Sequence, residues 1–85
     1  MIDKEVESLK ELFKELYYSK GIDIDIYVDD FNFEFYIDLK QVNNLNNLKS
    51  ILDITKKVKK EMLPSHKSEI DFWFPELVIY FDKSI

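Results

Sequence analysis

Cysteine is absent, which excludes a disulfide framework and any thiolate metal site. One glycine and two prolines leave no material for a glycine-rich phosphate cradle, a flexible linker or a low-complexity tail. Long apolar runs and a signal-like start are also lacking, so the expectation is a cytoplasmic protein with no membrane association. Arginine is missing too: the twelve basic residues are all lysine and asparagine is frequent, a usage that fits an AT-rich genome. Seventeen acidic residues against those twelve lysines give a net charge of -5. That is the wrong sign for a general nucleic-acid binder, whose affinity rests on neutralising phosphate.

What the chain does have is apolar bulk. With 85 residues, 46% hydrophobic and 15% aromatic, residues 1–85 suit one domain whose small core depends on large side chains. From Asp3 to Tyr18, Val6, Leu9, Leu12, Phe13, Leu16 and Tyr17 recur at three- and four-residue steps and predict an amphipathic helix. Gly21 follows as a left-handed cap.

Ile22, Ile24, Ile26 and Val28, then Phe31, Phe33, Phe35, Ile37 and Leu39, alternate with polar residues and predict a hairpin with one buried face. A loop at Asp29 and Asp30 sets Ile24 opposite Phe35 and Ile26 opposite Phe33. A second helix is predicted from the stripe Leu45, Leu48, Ile51, Leu52, Val58 and Met62, capped by Asn43 or Asn44 and ended by Pro64. A second hairpin closes the chain, with Ile70, Phe72, Phe74, Leu77, Ile79 and Phe81 inward. Pro75 cannot supply the positive φ of a primed two-residue turn, so a type I turn or a Phe74-to-Leu77 loop is expected.

The order α-β-β-α-β-β, with "LKELFKEL" weakly repeated as "LKSILDIT", predicts an α+β fold. Its simplest packing is a four-stranded antiparallel-rich sheet with both helices on one face. The Phe33 strand and the last strand would be central, and the Ile22 and Ile70 strands would form the edges. In element order this resembles a circular permutation of the ferredoxin-like βαββαβ arrangement, seen in small assembly domains of secretion and pilus machines. The resemblance to this permuted ferredoxin-like order implies a fold and no function.

The sheet face turned from the helices would carry Asp23, Asp25, Tyr27, Glu34, Tyr36 and Asp38, then Glu69, Asp71, Trp73, Val78, Tyr80 and Asp82. In the expected register Asp25 lies across from Glu34 and Glu69 across from Asp82, both like-charge pairs and both destabilising. One reading is a solvated face whose acids at Asp23, Asp25, Glu69 and Asp71 keep the edges from pairing.

The functional reading takes Asp23, Asp25, Tyr27, Glu34, Tyr36, Asp38, Asp71, Trp73, Tyr80 and Asp82 as a partner-binding surface. Rings rimmed by carboxylates suit docking on a basic protein, a nuclease, CRISPR effector or toxin, by presenting carboxylates where phosphates are expected. Small acidic immunity proteins and phage inhibitors of nucleases are similar in size and charge alone. The alternative is an assembly module that forms a homodimer through the exposed aromatic face or an edge strand.

Other constellations carry less. Exposed rings on an open sheet suggest RNA stacking, but the surrounding carboxylates would repel phosphate. The run KKVKKE reads as the solvated end of a helix, where the dipole favours cations, and gives the molecule a basic flank. His66, the one histidine, reads as a loop residue, with neither cysteine nor a second histidine to share a metal. Asp23, Asp25 and Glu34 could offer oxygen to a hard cation, but alternating strand residues spread carboxylates over a surface instead of wrapping an ion. Neither a nucleophile with its base nor two carboxylates in distinct environments can be picked out. The expectation is a non-enzymatic protein with no cofactor, no metal and no direct nucleic-acid contact.

Overall fold

The computed structural model describes residues 4–30 and 32–83. The helix start expected at Asp3 and the inward place expected for Phe31 lie outside the described residues. Helix α1 spans Lys4–Tyr18 and buries Val6, Phe13 and Tyr17, with Leu9 and Leu16 packed at the core's margin. It ends as its glycine requires: Gly21 sits at φ 75, and the amides of Gly21 and Ile22 donate to the carbonyls of Tyr18 and Tyr17.

Strands β1 (Asp25–Asp29) and β2 (Asn32–Asp38) form the first hairpin. Ile22 and Ile24 are buried but precede β1, because Gln41 takes the place of a strand neighbour there. Its side-chain amide donates to the Asp23 carbonyl at 2.8 Å and accepts from the Asp23 N–H at 2.7 Å. Gln41 lies in a 3-10 turn, Leu39–Val42, that leads into helix α2 (Leu45–Lys57). The Asn44 side chain caps α2 by accepting from the Asn47 N–H at 2.9 Å.

The buried face of α2 is Ile51, Ile54 and Thr55. Of the expected stripe, Ile51 and Val58 are buried and Met62 packs at the core's margin, but Leu45 is 81% exposed and Leu52 37%. Only the approach of α1 selects which flank of an apolar helix is covered, and Thr55 is drawn inward because its hydroxyl meets Tyr17 Oη at 2.8 Å. After Lys57 the helix widens to π geometry over Val58–Met62 and stops where the Leu63 N–H bonds to the Val58 carbonyl. Lys59 turns back onto the Pro64 carbonyl at 3.0 Å, while Lys56, Lys57 and Lys60 stay exposed.

Strands β3 (His66–Trp73) and β4 (Glu76–Lys83) complete a four-stranded antiparallel sheet in the order β1-β2-β4-β3. The two helices pack on one face, giving the α+β fold with the permuted order expected. The core joins Phe13 and Tyr17 of α1, Ile51 and Ile54 of α2, and the inward residues of β2 and β4. Phe35 is its hub, with ring centroids 5.2–5.8 Å from Phe13, Tyr17 and Phe81.

Strand β3 departs from expectation. Ile70 and Phe72 have inward parity, yet they are 40% and 65% exposed, and Phe74 at the turn is 90% exposed. Alternation assigns a face, but the helices cover β1, β2 and β4 and leave every residue from Lys67 to Trp73 in solvent. His66 is no loop residue: it opens β3, half buried, with its ring 6.0 Å from Phe33. Among the described residues no helix is long and apolar enough to cross a membrane.

Candidate functional site

The site is built by strand register. In β1–β2, Asp29 pairs with Asn32 and Asp30 adopts φ 52, a left-handed conformation that aspartate tolerates. The turn is therefore one residue later than expected, Ile26 faces Phe35, and Val28 faces Phe33. In β3–β4 the Phe74–Pro75 peptide is cis, and Trp73 pairs with Glu76. This two-residue reversal replaces the type I turn or longer loop expected.

Both shifts keep every residue on its face and change what lies across from it. Asp25 faces Tyr36 instead of Glu34, and Glu69 faces Tyr80 instead of Asp82. Asp82 faces Lys67, an opposite-charge pair. Neither of the like-charge pairs expected from the sequence forms. One row across the sheet runs Tyr27, Glu34, Tyr80, Glu69, and the next runs Asp25, Tyr36, Val78, Asp71. Rings and carboxylates thus alternate along the first row, and in the second Tyr36 and Val78 stand between the two acids, a separation that lowers the cost of so many carboxylates.

The rings are also tied to their neighbours. Tyr27 meets Tyr36 edge-to-face, centroids 5.3 Å apart and planes at 88°. Tyr36 Oη donates to Glu34 Oε1 at 2.6 Å. That bond favours the neutral phenol, and with minor help from burial and nearby acids it pushes the Tyr36 pKa up to about 12. Val78, between Tyr36 and Asp71 in register, is fully buried although it lies on the face without helices. It forms an apolar floor separate from the main core.

At one end the face deepens into an open cavity of about 570 Å³ lined by Asp23, Asp25, Asp38, Glu76, Tyr36, Lys40 and Gln41. Here one like-charge pair does occur, Asp38 across from Glu76. Asp38 Oδ1 accepts the Lys40 N–H at 2.9 Å, which offsets part of the repulsion. Among the described residues no three of His, Asp and Glu converge as a metal site.

Nine of the expected site residues, Asp25, Tyr27, Glu34, Tyr36, Asp38, Asp71, Trp73, Tyr80 and Asp82, lie on this one face by strand parity. Asp23 precedes β1 and joins them at the cavity. Exposure is uneven: Tyr27 and Trp73 stand 60% and 61% exposed, while Tyr36 and Tyr80 are half buried. No protein-family model, curated protein or solved structure matches this chain.

Sequence reasoning missed Glu76, Lys40 and Gln41. Glu76 shares the parity of Val78 and Tyr80, and assigning it to the turn hid it. Lys40 and Gln41 reach the site only because the chain folds into a 3-10 turn after Asp38, where strand alternation carries no information.

Proposed function

We propose that this protein is a non-enzymatic binding protein that docks on a basic protein in the cytoplasm, a nuclease, CRISPR effector or toxin, and blocks the surface meant for nucleic acid. The observation that supports this is the interleaving of Tyr27, Tyr36, Trp73 and Tyr80 with Asp25, Glu34, Asp71 and Asp82 on a sheet face with no helix over it. Rings supply contact area at low entropic cost, and the carboxylates steer a cationic partner and reject anionic ones.

The test is the variant Asp25→Asn, Glu34→Gln, Asp71→Asn, Asp82→Asn. Partner capture from source-cell lysate should fall at low salt and lose its salt dependence. Equal capture with an unchanged salt response removes the proposal.

A second reading, a homodimeric assembly module, is favoured by the exposed apolar residues of β3 and its turn, Phe72, Trp73 and Phe74. It predicts a mass that rises with concentration in sedimentation and returns to monomer on Trp73→Ala. A monomer at high concentration removes it.

A further inference from the structure

Strand β3 is an edge, and its hydrogen-bonding groups have a definite direction. The hairpin closes at Trp73 and Glu76 with two residues between them, which aims the backbone groups of Trp73, Asp71, Glu69 and Lys67 toward β4. The residues between them must then point their N–H and C=O groups outward. Phe72 agrees independently: its N–H bonds to Asp71 Oδ1 at 2.8 Å. Ser68, Ile70 and Phe72 thus form a ready template for another strand, closed at one point by the Asp71 carboxylate.

The side chains specify what kind of strand fits. On the helix side of this edge stand Ile70 and Phe72, apolar and uncovered. On the other side stand Lys67, set across from Asp82 of β4, and then Glu69, Asp71 and Trp73. A strand laid alongside keeps the same alternation, placing one set of its side chains against Ile70 and Phe72 and the other against the two acids and the indole.

We propose that the outer edge of β3 accepts, by strand addition, an extended segment of the basic partner in which lysine or arginine alternates with apolar residues. The proposal rests on the reading that the open face meets a basic protein. A second copy of this chain is the poorer occupant: antiparallel pairing about Ile70 would set Glu69 opposite Asp71 of the second copy, twice, and like charges directly opposed are destabilising. An incoming lysine or arginine does the reverse. It offers Asp71 a cation in exchange for the Phe72 N–H, which is then released to the new strand. In the free protein Asp71 protects the edge, and in the complex it selects the partner.

The probe is an octapeptide of alternating lysine and valine, compared with an octapeptide of four lysines followed by four valines. Amide exchange and titration are followed by NMR on the intact protein. The alternating peptide should bind at least tenfold more tightly than the block peptide and slow exchange at Ser68, Ile70 and Phe72 by tenfold or more. Equal binding of the two peptides, binding of neither, or unchanged exchange at those amides overturns the proposal. Ile70→Pro removes one outward N–H and no β3–β4 ladder bond, so it should weaken the alternating peptide by tenfold. If that variant does not fold, the exchange measurement on the unaltered chain decides alone. A folded Ile70→Pro that captures the natural partner as well as the unaltered chain, while the four-amide variant does not, overturns strand addition and leaves the docking face standing. If the four-amide variant also captures equally, both readings fall.

Discussion

Removing the Thr55 hydroxyl tests how the two helices are locked together. Thr55 Oγ1 donates its one proton to the Ile51 carbonyl at 2.7 Å, so in the contact with Tyr17 Oη at 2.8 Å the phenol must be the donor. Tyr17 is fully buried, and Thr55 is 6% exposed. Thr55→Val keeps shape and volume, leaves the Ile51 carbonyl its helical partner, and strands the phenol O–H without an acceptor. An unsatisfied buried group of this kind costs about 1–3 kcal/mol. For a domain of this size that lowers Tm by about 4–8 °C for each kcal/mol.

Tyr17→Phe in the same background removes the stranded donor, so the double variant should recover most of the loss. Urea denaturation of the four proteins closes the cycle. If Thr55→Val is as stable as the unaltered chain, or the double variant equals the sum of the singles, the hydrogen bond is not what joins the helices. Alkaline pH offers a second readout. Burial raises the Tyr17 pKa well above its ordinary value. The unfolded chain therefore ionises first, and stability contributed by the neutral phenol is lost as pH rises above about 10. Tyr17→Phe should flatten that decline.

The site makes its own predictions. Ultraviolet titration should show a phenol ionising near pH 12 that disappears in Tyr36→Phe; since the folded pKa exceeds the unfolded one, its contribution to stability is present below about pH 10 and lost toward pH 12. Lys67→Glu sets a carboxylate across from Asp82 and should cost about 0.2–1 kcal/mol by urea denaturation, less at high salt. No cost at low salt would contradict the register. Phe81→Ala should lose about 3–5 kcal/mol, whereas Phe74→Ala, at 90% exposure, should stay within about 0.5 kcal/mol. Comparable losses would mean that the turn is covered in solution.

The strand elements were the most legible part of this protein. Phe33, Phe35 and Ile37 on β2, and Leu77, Ile79 and Phe81 on β4, are all buried as their alternation requires, because the side-chain period of a strand is two whatever its partner. The same rule put Tyr27, Tyr36, Trp73 and Tyr80 on the opposite face. The helices were read less well in detail: Leu45 and Leu52 fall on the flank of α2 that the core does not use.

By itself, the order of apolar residues along the chain determined the α-β-β-α-β-β succession, the two faces of the sheet, and the company of rings and acids on one of them. Each of those follows from local periodicity, which needs no knowledge of a distant residue. Tertiary structure alone decided the cross-strand partners, the reach of the helices and the burial of Val78 on the open face. A one-residue change in where a turn closes moves every pairing by two positions and leaves each side chain on its face. Parity therefore cannot detect it, while the charge beside each ring depends on it.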